Sequence, residues 1–233
     1  ASIIGITGSN GKSTVTQLLG EMAIGSGKNT VICGNIGKPV MESLSDEAEL
    51  YVVELSSYQL DYTNNLNLLT GVVTNITPDH LDRYPNYDVY IASKLNLYQY
   101  CQYSVINLDE SLVQGIKGDS CYAIEGVAQS CDFNAKKDGG VYKIYQGKDI
   151  LMTSDDLMVL GRHNVENVLA ALTLGRQAGL SVQEMIQVAK SFTGLPHRLE
   201  WVINLNGVDY YNDSKSTSAI STITAIEALS DRY

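Results

Sequence analysis

Gly8, Gly11, Lys12 and Ser13 stand between an apolar run, Ile3 to Ile6, and a helical pattern that opens at Lys12 and carries Val15, Leu18, Leu19 and Met22 on one face. Strand, glycine loop, Lys-Ser and helix is the layout of a phosphate-binding loop. Glycines let backbone N–H groups turn toward phosphate oxygens, and a helix N-terminus adds partial positive charge. A lysine at this point meets the β/γ-phosphates, and a serine hydroxyl ligates Mg²⁺. The spacing departs from the standard pattern, with only Ser9 and Asn10 between the glycines. A tight strand-to-helix turn that merely contains Lys-Ser is the alternative. Three further residues could do chemistry: Asn35 in Gly34-Asn-Ile-Gly37, Glu54 at the end of the apolar run Leu50 to Leu55, and His80 in Thr77-Pro-Asp-His80, with Asp79 and Asp82 beside it. An acid closing an apolar strand is a common place for the second carboxylate on the Mg²⁺ side of a phosphate loop, though it can also mark nothing more than a strand end.

These residues need a scaffold that brings them to one rim. Thr30 to Cys33, Leu50 to Leu55, Gly71 to Ile76 and Ser104 to Asn107 read as short buried strands. Between them Pro39 to Leu44, Tyr58 to Leu66 and Tyr87 to Tyr100 read as helical or irregular. Buried strands alternating with helices predict an α/β fold, a doubly wound, mostly parallel sheet of P-loop type. Ligands bind beyond the carboxyl ends of such strands, where the glycine loop, Asn35, Glu54 and His80 all fall. From Ser120 to Val159 the texture changes: Cys121 to Ile124, Val141 to Tyr145 and Ile150 to Met152 are short and turn-separated, which predicts a small antiparallel side sheet. Helices are expected over Val168 to Ala178, opened by Gly161-Arg-His-Asn-Val-Glu-Asn167, and over Val182 to Ser191. Asn164 and Asn167, three apart, share a helix face. Thr193-Gly-Leu-Pro196 marks the boundary between a first domain, 1–194, and the incomplete beginning of a second α/β domain, 195–233. The second holds strands Leu199 to Leu205 and Val208 to Asn212, joined by the hairpin signal Asn206-Gly207, and a helix from about Ile220 to Leu229.

At 233 residues with 44% hydrophobic and 18% charged composition, a sizeable core is available and disorder is excluded. A net charge of −10 and the lack of any Lys/Arg run argue against nucleic acid as a partner, and no apolar stretch is long enough to span a membrane. The four cysteines have no C-x-x-C spacing and read as reduced thiols, which predicts a cytoplasmic protein. Fifteen tyrosines against two phenylalanines have no functional account in the sequence. The chain opens almost on a buried strand and closes at a helix, so it is expected to be a piece of a longer protein, and a monomer.

Across nearly its whole length the chain resembles the ATP-dependent Mur ligases of peptidoglycan synthesis. The resemblance rests on Thr7-Gly-Ser-Asn-Gly-Lys-Ser-Thr14, Gly34-Asn-Ile-Gly37, Asn75-Ile-Thr-Pro-Asp-His-Leu-Asp-Arg-Tyr-Pro85, Ala92-Ser-Lys-Leu95, Gly161-Arg-His-Asn164 and Thr193-Gly-Leu-Pro-His-Arg198. Two stretches, Glu54-Leu-Ser-Ser-Tyr-Gln-Leu60 and Asn212-Asp-Ser-Lys-Ser-Thr217, are similar to the branch that adds D-glutamate, with Tyr58 where that branch usually has Phe. The family has a uridine-nucleotide domain, a central ATPase and a C-terminal domain for the incoming amino acid. The resemblance covers the second and the start of the third.

The resemblance implies an acid–amino-acid ligase whose substrates are ATP, UDP-N-acetylmuramoyl-L-alanine and D-glutamate, joined through an acyl phosphate. Ser9, Asn10, Gly11, Lys12, Ser13 and Thr14 would hold the ATP phosphates; Ser13 and Glu54 would hold a first Mg²⁺, and His80 a second. Lys94, which by itself reads as a solvated helix lysine, matches a lysine that is carbamylated in the family and acts through its new carboxylate. Asn164 and Asn167 would lie at the adenine; Arg198, Asp213 and Lys215 would reach ATP from the second domain. Asn35, Ser56 and His80 would contact the muramoyl substrate, and Thr217 would face D-glutamate. The alternatives are a sister ligase acting on a folate or another precursor, an ATP-binding module without turnover, and a structural protein with a relic phosphate loop.

Overall fold

The computed structural model describes residues 1–79, 81–113, 115–124, 131–217 and 219–230. His80, one of the expected metal ligands, lies outside them. In chain order the elements are β1 (Ser2–Thr7), α1 (Lys12–Gly25), β2 (Thr30–Gly34), β3 (Leu50–Glu54), α2 (Ser57–Tyr62), β4 (Leu68–Val73), α3 (Tyr87–Leu95), β5 (Cys101–Asn107), β6 (Ser120–Ile124), β7 (Phe133–Asp138), β8 (Val141–Gln146), β9 (Asp149–Thr153), α4 (Arg162–Gln177), α5 (Val182–Ser191), β10 (Glu200–Leu205), β11 (Val208–Asn212) and α6 (Ala219–Ser230).

Among the described residues β2-β3-β1-β4-β5-β6-β7-β8-β9 form one nine-stranded sheet. It is parallel from β2 to β7 and antiparallel from β7 to β9. Of the three strands expected in an antiparallel side sheet, Val141 to Tyr145 and Ile150 to Met152 are antiparallel but extend the main sheet, whereas Cys121 to Ile124 falls in β6, parallel to both of its neighbours and part of the parallel sheet. The link between the parallel and antiparallel parts is β7, which the sequence reading passed over because its second half, Lys136-Lys-Asp138, is exposed and charged. The chain leaves β1 for β2, returns to β3, then crosses to β4 on the other side of β1. The phosphate loop therefore sits where the strand order reverses, the crevice in which such sheets take ligands.

Alternating side chains make two cores. Ile4, Ile6, Val52, Val72 and Val105 face a layer built from α1, α4 and α5, including Leu18, Leu19, Leu169 and Leu172. Val53, Leu68, Val73 and Ile106 face the opposite layer, where α2 packs against α3. The first cluster is the larger, and Leu169 lies within it at 0% exposure. Leu169→Ala is expected to lower stability by about 2–5 kcal/mol through lost burial and the cavity left behind. Urea unfolding should show a lower midpoint with an unchanged slope; a midpoint shift worth less than about 1 kcal/mol would mean that α4 is not packed as described.

Strand boundaries move for local reasons. β4 starts at Leu68 and stops at Val73, so Thr74, Asn75 and Ile76 are loop residues. The Thr74 hydroxyl and the Asn75 side chain and carbonyl bond the phosphate loop instead, while Ile76 O accepts from the Tyr87 hydroxyl. The second pair, β10 and β11, forms a separate antiparallel sheet. Asn206 and Gly207 at its turn have φ of 54° and 83°, as a two-residue hairpin of this twist requires.

Candidate functional site

The phosphate loop is held open by β4's continuation. Ser9 N–H donates to Asn75 O at 2.8 Å, and Asn10 N–H donates to Asn75 Oδ1 at 2.8 Å. Asn75 Nδ2 and Thr74 Oγ1 both donate to Asn10 O, at 3.0 and 2.7 Å. A side-chain amide thus mimics a strand partner for a loop that has none. Gly8 has φ 149°, and a Cβ there would lie 2.0 Å from Thr74 Oγ1. Gly11, at φ 82°, would put its Cβ 2.4 Å from Asn167 Oδ1. Both glycines are therefore fixed by sterics as well as by dihedral, and the second brings α4 against the loop. Gly11 is also the N-cap of α1 and offers no side-chain cap, so the first-turn N–H groups keep their anion-binding capacity.

Three charged side chains converge beside the loop. Lys12 Nζ donates to Gly8 O and Ser9 O, each at 2.9 Å. Lys94 Nζ, reaching across from α3, donates to the same Gly8 O at 2.7 Å and lies 4.8 Å from the centre of the Tyr90 ring. Glu54 ends β3 directly beside Ile6 of β1 and Gly34 of β2. Asn35 Nδ2 donates to Glu54 Oε1 at 2.8 Å. Glu54 Oε2 is buried and has no hydrogen-bond partner among the described residues. An ionised oxygen left so would be costly. Of the three charged groups Glu54 is the anion, and an oxygen so placed can take a cation.

The electrostatics follow. Burial is the main force holding Lys12 below its usual range, with Glu54 opposing it and Arg198 adding to it. Lys94 is only 2% exposed. Burial above all, then the neighbouring Lys12 charge, pushes it down to about 7, against the pull of Asp79 and Glu54. An amine in that range spends much of its time neutral at physiological pH, the state in which an amine is a nucleophile.

A cavity of about 690 Å³ continues from the loop. Asn10, Gly11 and Thr14 line one end, and Asn164, Asn167, Arg198 and Asp213 line other parts. Asn167 Nδ2 donates to Asn164 Oδ1 at 3.1 Å, and Asn164 Nδ2 to Leu160 O at 2.7 Å, so the two amides are oriented as a pair. α4 begins at this cavity behind Gly161, again with no side-chain cap. His163 is held below its usual value by burial, partly offset by the Asp213 carboxylate. Burial raises Glu166, against the Arg162 guanidinium 3.2 Å away. Asp213 accepts from Leu199 N–H at 2.9 Å and from Ser216 Oγ. Leu199 has φ 46°, a left-handed leucine that costs energy and persists only where its surroundings impose it.

The other expected residues fall less neatly. Ser56 N-caps α2 in a capping box with Gln59, its Oγ accepting from Gln59 N–H at 3.2 Å, so it has a structural task as well. Ser13 is the second residue of α1. Lys215 and Thr217 are exposed and do not line the cavity. Tyr90 was missed in the sequence, although it stands four residues before Lys94 and hence on its helix face. Its hydroxyl lies 2.9 Å from Ser9 Oγ, and burial pushes it up to about 12. Lys137 and Tyr142, on the overlooked strand and its neighbour, also line the cavity. Among the described residues no three His, Cys, Asp or Glu side chains converge on one point, and no helix is long and apolar enough to cross a membrane.

Residues 6–175 match the Mur ligase middle domain. The chain is 45% identical over 233 residues to the UDP-N-acetylmuramoylalanine–D-glutamate ligase of Marinobacter nauticus, covering 98% of this chain and 52% of that protein. It is 42% identical over 229 residues to the enzyme of the same name from Shewanella violacea, covering 98% and 50%. The chain thus spans about half the length of the curated relatives it matches. Among solved structures, MurF from Acinetobacter baumannii superposes with a TM-score of 0.80 at 18% identity, covering all of this chain and 55% of that one. The UDP-N-acetylmuramate–alanine ligase of Thermotoga maritima gives 0.76 at 16%, covering 99% and 54%. At those identities the likeness is one of fold.

Proposed function

This chain belongs to the Mur ligase family, and from that premise we propose that it is the ATP-binding core of a ligase that adds D-glutamate to UDP-N-acetylmuramoyl-L-alanine. The observation that carries this is the convergence of Lys12, Lys94 and the Asn35-held Glu54 on the phosphate loop. The names of the relatives at 42–45% identity supply the acceptor and the amino acid. We divide the chain into an ATP-binding domain, 1–194, and the start of an amino-acid-binding domain, 195–233.

A carboxylate and an ammonium group do not condense at neutral pH. The alanine carboxylate attacks the γ-phosphorus of ATP, the bond to the β–γ bridging oxygen breaks, and an acyl phosphate and ADP result. The D-glutamate amine then adds to the acyl carbon and phosphate leaves. Little covalent chemistry falls to the protein in the first step, so positioning and charge neutralisation dominate. Lys12 moves from its carbonyl partners to the β/γ-phosphates. Asn164 and Asn167 take the base, Asp213 the ribose and Arg198 the phosphates, with Lys215 joining on closure of the second domain.

Magnesium fits the donor set: hard oxygen ligands, with Glu54 Oε2 buried and unpartnered among the described residues. Glu54 and the Ser13 hydroxyl would hold one ion together with phosphate oxygens and water, as Mg²⁺ prefers. A second would be held by His80 and carbamylated Lys94. Bound metal supplies charge neutralisation at the transferring phosphoryl group. Lys94 gains its carboxylate when the neutral amine adds CO₂ and releases a proton. Asn35 orients Glu54 and, with Ser56, borders the muramoyl substrate; Thr217 serves the D-glutamate side.

The test uses the complete protein with ATP, UDP-N-acetylmuramoyl-L-alanine and labelled D- or L-glutamate. Incorporation of the D-isomer with stoichiometric ADP release is expected. Transfer of L-glutamate, or preference for a folate acceptor, would assign it to a sister branch. Because the chain matches only half of its relatives' length, we propose that by itself it binds Mg-ATP without turnover.

A further inference from the structure

Two of the four cysteines meet between β6 and the start of β7, in a place that nothing in the ligase chemistry uses. Cys121 is the second residue of β6, and Cys131 precedes the start of β7. Their Sγ atoms are 3.1 Å apart, joined by a thiol–thiol hydrogen bond. The backbone fixes the pair in register: Asp132 N–H donates to Cys121 O at 3.0 Å, and Cys121 N–H donates to Asp132 Oδ2 at 3.2 Å. Arg176 of α4 lies 3.7 Å from the same carboxylate. Closing the sulfurs to the ~2.0 Å of a disulfide therefore needs only a small shift.

We propose that Cys121 and Cys131 are a reversible thiol–disulfide site, oxidised by low-molecular-weight disulfides such as glutathione disulfide. The division of labour follows from their surroundings. Cys121 is half-buried and within reach of a small reagent, whereas Cys131 is buried. The side-chain contact with Cys131 holds Cys121 below the usual thiol value, and the same contact, with burial, raises Cys131. The thiolate is the nucleophile in exchange, so Cys121 attacks first. Its sulfur bonds to one glutathione sulfur and the other leaves as a thiolate. Cys131, which loses its proton as it attacks, then displaces the second glutathione from Cys121 Sγ. Two protein thiols are oxidised, one external disulfide is reduced, and the two protons released neutralise the two glutathione thiolates.

The other thiols are poor competitors. Cys33 is buried and raised by that burial. Cys101 is pushed up to about 12, again by burial, and its Sγ sits 3.4 Å from Leu97 O. The site also stands apart from the nucleotide cavity. Cys131 lies before the N-terminal end of β7, while Lys137, near the other end of that strand, lines the cavity.

The test places the full chain in glutathione buffers of increasing oxidised fraction, quenches with acid, alkylates the remaining thiols under denaturing conditions and maps the peptides by mass spectrometry. Expected is complete conversion to a linked 121/131 peptide pair with the loss of two hydrogens, reversed by dithiothreitol, while Cys33 and Cys101 stay alkylated. Cys131→Ser should instead accumulate glutathione on Cys121. Alkylation of both Cys121 and Cys131 at every ratio would overturn the proposal. So would a lasting glutathione adduct on Cys121 of the unaltered chain, or oxidation of Cys33 or Cys101 ahead of the pair.

Discussion

Lys12→Ala is expected to weaken binding of Mg²⁺ and a non-hydrolysable ATP analogue by about 2–5 kcal/mol, the usual cost of truncating one partner of a desolvated charge pair. That is roughly 30- to 4,000-fold in affinity, enough to remove the heat signal in a calorimetric titration at ordinary concentrations. Stability should respond differently. In the free protein the Lys12 ammonium is already held below its usual range by burial, so its charge is no asset to folding. Its two acceptors are not stranded by the change, because Gly8 O keeps Lys94 at 2.7 Å and Ser9 is only partly buried. The variant should therefore unfold within about 1 kcal/mol of the parent. Unchanged affinity would remove Lys12 from the nucleotide site. Loss of binding together with a large drop in stability would mean that the lysine only props the loop.

Much of this was legible in the sequence because the informative residues lie where short-range pattern and chemistry coincide. β1, its glycine loop and α1 needed only an apolar run, two glycines and a helical stripe. Val182–Ser191 and Val208–Asn212 have the bounds expected of them, since turn residues flank both. β7 was hidden because exposure of Lys136-Lys-Asp138 erases the alternation that identifies a strand. Tertiary pairing with Tyr142, Lys143 and Ile144 supplies what the local pattern lacks. Asn35 could be placed on the rim but not in its bond to Glu54, which depends on Gly34 and Glu54 standing opposite each other on β2 and β3. Cys121 and Cys131 looked like two of four unrelated thiols, because proximity across a β6–β7 crossover leaves no spacing signature. Lys94 is the sharpest case. A lysine in the last turn of a helix is usually solvated, and only the packing of α3 against the phosphate loop buries this one.

That burial has two measurable consequences. In the complete protein, Lys94→Ala should lower ligase turnover on the order of 10²–10³-fold, the scale seen when one preorganised electrostatic group is deleted. If a carbamate is the working form, the space left by the side chain accommodates a small carboxylic acid, and formate or acetate should restore part of the rate. Unaltered turnover, or a loss that no carboxylate relieves, would separate Lys94 from that role. The second consequence needs no activity. With magnesium chelated and CO₂ excluded, Lys94 titrates near 7 in the folded chain against an ordinary value of 10.5. Below about pH 7 both states hold the proton, and the cost of burying the ammonium is fully present. Between about 7 and 10.5 the unfolded chain holds more protons than the folded one, so stability rises with pH across that window. The gain is on the order of a few kcal/mol, and Lys94→Met should flatten it while raising stability at pH 6. A parent and a variant with parallel pH profiles would show that the ammonium is solvated after all. The two measurements fail independently: the first concerns what the side chain becomes, the second where it is.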